Sequence, residues 1–155
     1  LLDQPELVER RAEYVGFPKA QRAPFVLIGS HISDSTFWHG EKMTEFGNDW
    51  TNFWTEGQGN FTTKAMEDSG TLQSLTNLGV AKKVDIDRVM ILRTAANYTM
   101  PSPGMTAAES LARERGAALS AYNESLEAAF RIGNRVVQEL LKNWDRYSDS
   151  IPTSN

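Results

Sequence analysis

The sequence predicts an α/β fold, on three observations. Two short continuous apolar runs, FVLIGS at 25–30 and DRVMILRTA at 87–95, fit strands buried on both faces. Between and after them lie stretches with apolar residues at steps of three and four, the period of a helix packed on one side. Strands that alternate with helices are the pattern of a layered α/β sheet.

Taken in order, residues 5–14 read as a charged helix, and FPKAQRAP (17–24), with two prolines, as a connector. HISDSTFWHG (31–40) follows the first strand and is polar with two aromatics, a loop at a strand end. Met43, Phe46, Trp50 and Phe53 mark an aromatic-rich helix over 41–55, and TEGQGNF (55–61) is a turn. Residues 62–78 are expected as a helix, with Met66, Leu72 and Leu75 on one face and Gly79 as its C' stop. NYTMPSPGM (97–105) is a loop stiffened by Pro101 and Pro103. Thr106, with Glu109 three residues on, makes a capping box for the next helix. A long helix over about 119–144 places Tyr122, Leu126, Ala129, Gly133, Val136, Leu140 and Trp144 on one stripe, where Gly133 predicts close approach to another element. The tail, 148–155, is expected to fray. Two strands do not make a doubly covered sheet, so the chain reads as a piece of a larger domain.

The 155 residues suffice for one domain. A net charge of -4 leaves no electrostatic footprint for nucleic acid. No apolar run reaches the ~18 residues of a transmembrane helix. Without cysteine there is no disulfide framework and no thiolate chemistry. His31 and His39 match no zinc spacing, and no metal is expected. No Gly-rich phosphate loop, GxSxG elbow or Walker motif occurs. The chain starts at Leu1 without a visible leader, as a processed chain or a piece of a longer one would.

Ligands of α/β sheets bind beyond the carboxyl ends of the strands. GSHISDSTFWHG and TAANYTMPSPG lie there, and each sets polar groups beside aromatics, as a planar polar ligand requires. Each candidate also has a plainer reading. Asp34, with Ser33 and Ser35, can cap a turn. Trp38 and His39 can pack on the sheet end, and Asn97 can be a turn residue. Glu67 and Asp68 can complement a helix N-terminus. Trp50, Phe53 and Trp54 suit a core or an interface. NFT at 60, NYT at 97 and NES at 123 match the N-glycosylation pattern.

Three stretches, GSHISDSTFWHG (29–40), TTKAMEDSGTLQSLTNLG (62–79) and VMILRTAANYTMPSPGMTAAESL (89–111), together resemble the purine nucleoside permease family, as does the closing RIGNRVVQELLKNWDRY. Ser30 departs from that pattern, which often has Asp there. The resemblance implies the C-terminal half of a nucleoside phosphorylase- and nucleosidase-like domain, three layers with a mixed sheet flanked by helices, in a family about twice this length. It implies a purine nucleoside as partner, and the missing N-terminal half or a companion chain in a tight, oligomeric assembly. Met66 would pack on the ribose face, Glu67 would accept from its 2'- and 3'-hydroxyls, and Asn97, with Trp38 nearby, would contact the base. His31 and Asp34 are the candidates for acid–base work. Nucleoside binding in uptake, outside the cytoplasm in a periplasmic or secreted setting, is the leading expectation. Its alternatives are cleavage of the N-glycosidic bond, with phosphate as co-substrate or with water, and an interaction domain whose site has decayed. No cofactor is implied.

Overall fold

A computed structural model describes residues 2–115 and 121–150. Residues 151–155 of the tail expected over 148–155, and the start of the last helix at 119–120, lie outside the described residues, whereas Ser148 closes the last short helix. The architecture is mixed α/β, with about half of the chain helical around a small parallel sheet.

Helix α1 (Pro5–Ala12) has proline in its first turn, with Glu6, and Arg10 and Arg11 in its last, so its charges match the helix dipole. Strand β1 (Ser30–Ser33) leads through a loop to α2 (Glu41–Trp54). Strand β2 (Phe61–Ala65) passes directly into α3 (Asp68–Val80). A 3-10 turn (Ile86–Arg88) precedes an extended run, and α4 (Ala107–Arg115), α5 (Tyr122–Lys142) and α6 (Trp144–Ser148) complete the order.

The strands differ from the expectation. β1 and β2 pair in parallel, His31 opposite Thr63 and Ser33 opposite Ala65, with a register shift between Ser30 and His31. Residues 61–65 were expected in a turn and a helix. Phe61, Thr62 and Thr63 are aromatic and β-branched, which favours a pleated strand once a partner lies alongside, and β1 is that partner. Residues 25–29 and 89–95 make no ladder. They are the apolar segments expected as strands, and what they lack is a neighbour to share backbone hydrogen bonds with. α3 also runs through Gly79. It ends at Val80, and the chain turns off at Lys82, at φ 55°, with Lys83 N–H donating to Leu78 O at 2.8 Å. Gly79 instead faces Ile86, whose Cβ would lie 3.6 Å from an added Cβ.

Other expectations hold. Thr106 and Glu109 form the capping box, with Thr106 N–H donating to Glu109 Oε2 at 2.8 Å and Glu109 N–H to Thr106 Oγ1 at 3.2 Å. Gly133 of α5 lies against the 89–95 run, where a Cβ would touch Leu92 at 3.7 Å.

Few apolar side chains are enclosed. Tyr14 and Trp38 are the buried hydrophobic residues among those described. The accessible surface is 11458 Å², whereas a compact 17.3 kDa monomer exposes roughly 7,800 Å². The excess, roughly 3,600 Å², includes Ile28, which is 98% exposed, the run Val89–Leu92, and Leu126, Phe130, Val137 and Leu141 along α5.

At the α2–β2 contact Gly47 is buried, and a Cβ there would stand 2.6 Å from the Phe61 ring. Gly47→Ala would gain helix propensity of up to ~1 kcal/mol yet force the ring aside. A net loss of about 1–2 kcal/mol is expected in urea unfolding, recovered when Phe61→Leu is added. Equal stability of Gly47→Ala and the parent chain would mean that α2 stands off the sheet.

Candidate functional site

The carboxyl ends of β1 and β2, at Ser33 and Ala65, open onto the start of α3. Because β2 runs into α3 without a loop, Met66, Glu67 and Asp68 lie at the strand end. Ser33 Oγ accepts from Ser69 N–H at 2.8 Å, tying the end of β1 to the first turn of α3.

Asp68 is the centre of a charged cluster. Its Oδ2 lies 2.6 Å from His31 Nε2, 2.6 Å from Arg93 Nε and 2.5 Å from Arg93 Nη2. The His31 approach is close without the alignment of a ring N–H hydrogen bond. His31 Nδ1 meets Thr63 Oγ1, its cross-strand neighbour, at 2.9 Å. Burial holds the His31 pKa below the ordinary 6.5, against the pull of Asp68. The imidazole is therefore neutral at pH 7.

Arg93 extends the cluster to Glu67, with Nη2 donating to Oε2 at 3.2 Å, and Met66 N–H reaches the same oxygen at 3.3 Å. Hydrogen bonds from the backbone N–H groups of Glu67 itself and of Met66, helped by Arg93, lower the Glu67 pKa. The result is an ionised carboxylate that remains 66% exposed. Met66 is partly exposed beside it. The sequence reading passed over Arg93. A signal was available: a cation inside the apolar run VMILR needs a carboxylate wherever that run is covered.

The other candidates fall elsewhere. Asp34 accepts from the Thr36 backbone N–H and from Thr36 Oγ1, each at 2.7 Å, so it is the acceptor of a turn, and these bonds lower its pKa. Trp38 donates to Thr36 Oγ1 at 3.1 Å. Its ring meets Phe46 edge-on at 5.4 Å, with Lys64 Nζ at 5.3 Å, and Lys64 also donates to Thr36 O. Asp34 and Trp38 thus shape the loop. Asn97 Nδ2 donates to Glu114 Oε2 at 3.0 Å, and Arg10 pairs with the other oxygen of Glu114 at 3.1 Å. The 97–105 loop is pinned by Tyr14 Oη to Met100 O at 2.8 Å and by Gly40 N–H to Thr99 O at 2.7 Å. Burial pushes the Tyr14 hydroxyl up to about 12, which keeps it a donor.

A groove of about 230 Å³ runs between α3 and residues 89–93, with Leu72, Leu75, Met90 and Leu92 on its walls and Asp68 and Arg93 at its polar end. It is smaller than the ~300–1,000 Å³ of typical ligand pockets and includes none of Met66, Glu67 and Asn97. Among the described residues no cluster of His, Asp or Glu could hold a metal ion, and no helix is long and apolar enough to cross a membrane.

A family model described as purine nucleoside permease matches residues 1–152. A purine nucleoside permease of Candida albicans (strain SC5314) is 29% identical over 131 residues, which are 84% of this chain and 32% of that relative. A probable purine nucleoside permease of Schizosaccharomyces pombe is 25% identical over 129 residues, 83% of this chain and 36% of its own. The chain spans about a third of the length of the curated relatives it matches. No solved structure gives a significant match.

The lowered His31 pKa sets a direction for stability. Below pH 6.5 the unfolded chain protonates His31 while the folded one resists. The stability carried by the neutral ring is thus complete above pH 6.5 and is lost as pH falls toward the folded-state pKa. Urea midpoints are expected to drop between about pH 7.5 and pH 5.5, with a shallower drop in His31→Asn. Identical slopes in the two chains would mean that burial does not hold the ring neutral.

Proposed function

The chain belongs to the purine nucleoside permease family, and from that membership we propose that it binds purine nucleosides in the course of their uptake, with Met66 and Glu67 on the ribose and Asn97 on the base. The observation that carries the site is Glu67, an ionised and exposed carboxylate held by Arg93 and Met66 N–H at a strand end. Vicinal hydroxyls suit such a group, because each can donate a charge-assisted hydrogen bond to it. Met66 offers an adaptable apolar surface to the sugar face beside it. Asn97 offers a purine edge both donor and acceptor, while its bond to Glu114 orients the amide. Asn97 lies four residues beyond Arg93 in the chain, at most roughly 14 Å between their Cα atoms, so one extended run carries both the residue that holds Glu67 and the proposed base contact.

The same reading includes a cover for the sheet. The curated relatives extend well beyond the matched segment. The roughly 3,600 Å² of excess surface exceeds the roughly 1,000–2,500 Å² that an obligate interface takes from each partner, as expected of a sheet left open along its core. The proposed cover is further polypeptide of the same protein, adding strands beside residues 25–29 and 89–95 to complete a three-layer, nucleoside-phosphorylase-like sheet.

Calorimetric titration with adenosine, inosine and guanosine, followed by chromatography of the same samples, tests the function. Saturable heat with intact nucleoside recovered is the expected result. Free purine would make the protein a glycosidic-bond-cleaving enzyme, and no heat would refute binding by this chain. Glu67→Ala should weaken nucleoside binding by about tenfold to a hundredfold, the scale of a hydrogen bond to a charged group. Undiminished binding would remove Glu67 from the ribose. Ile28→Lys tests the cover: within about 0.5 kcal/mol of neutral in this chain, and costing about 3 kcal/mol or more in the longer protein. The same small effect in both would leave the cover without support.

A further inference from the structure

We propose that Arg93 is the positioning residue of the ribose contact, fixing the Glu67 carboxylate in advance of the ligand; this rests on the reading of Glu67 given above. Glu67 and Asp68 are adjacent carboxylates that repel each other, and an exposed glutamate ordinarily samples several rotamers. Arg93 meets both. Its Nε and Nη2 close on Asp68 Oδ2 at 2.6 and 2.5 Å, and Nη2 also reaches Glu67 Oε2 at 3.2 Å. The Asp68 side chain is 12% exposed and the Glu67 side chain 66%. Through Nε and Nη2 the guanidinium is thus anchored on a little-exposed carboxylate in the first turn of α3, while the same Nη2 restrains a carboxylate facing solvent. Restraint before binding removes rotamer entropy that the ligand would otherwise have to remove. The planar fork of arginine can serve two carboxylates at once, whereas a lysine ammonium is a single point charge on a flexible stem. At this position lysine would stay with the more buried Asp68.

The plainer alternative is that Arg93 only holds α3 to the 89–95 run. The two roles separate by ligand. Adenosine carries both ribose hydroxyls and 2',3'-dideoxyadenosine neither, so only adenosine can report on Glu67. Both are titrated by calorimetry into the parent chain, Arg93→Lys, Glu67→Ala and the double variant, with thermal melts as the fold control. In Arg93→Lys, adenosine affinity should fall about tenfold with dideoxyadenosine affinity unchanged, and the double variant should bind adenosine as Glu67→Ala does. Equal losses for both ligands, or no loss for either, would overturn the proposal. Should Arg93→Lys melt early, Glu67→Asp is the second variant. It sits at an exposed position and withdraws the carboxylate from Arg93 by one methylene, so preserved discrimination between the ligands would be equally fatal. A parent chain that does not distinguish the two ligands would defeat the ribose reading and this proposal with it. Discrimination in the parent that survives intact in Arg93→Lys defeats the proposal alone.

Discussion

The Asp68 carboxylate is the point at which three separate segments of the chain meet. A little-exposed carboxylate is costly unless charge and hydrogen bonds compensate it. His31 comes to it from β1, Arg93 from the extended run, and its own backbone begins α3. The β1–β2 ladder is short, so backbone pairing alone does little to orient α3. The Asp68 cluster and the Ser33–Ser69 bond provide that orientation. They also decide where Met66 and Glu67 point, because both residues lie in the two-residue step between β2 and α3.

A second cluster holds Asn97, the proposed base contact. Glu13 and Arg113 pair at 2.9 and 3.0 Å, and Arg10 meets Glu114. Together they clamp α1 to α4 around the Tyr14–Tyr98 ring pair, 4.1 Å apart. Asn97 is held through Glu114 as part of that clamp. The ribose and base ends of the proposed site therefore rest on different supports, joined by the run from Arg93 to Asn97. Movement of that run would change the span between them.

The extended runs at 25–29 and 89–95 carry the physical cost of an unfinished sheet. Their apolar side chains lie on the surface, and their backbones make no ladder. The neighbouring groove between α3 and the second run has apolar walls and a polar end at Asp68 and Arg93. The charged cluster at the groove's end is left open on the side where Glu67 faces solvent.

Local chemistry was legible in the sequence wherever a residue's partner lies within a turn or two. The Thr106–Glu109 capping box, the α/β class and the aromatic helix at 41–54 are of this kind. Asp34 had two readings, and the turn reading needed only its neighbour Thr36. What remained illegible depended on partners distant in sequence. Phe61–Ala65 is a strand because β1 lies beside it, and the apolar runs at 25–29 and 89–95 stay unpaired because no strand of the described chain pairs with them. Periodicity reports which face of a segment is apolar, not which segment comes to meet it. Arg93 shows the same limit. Its sequence position marks a charge in need of a partner, but Asp68 and Glu67 are 25 and 26 residues away. Only the packing of α3 against the extended run brings those carboxylates to it.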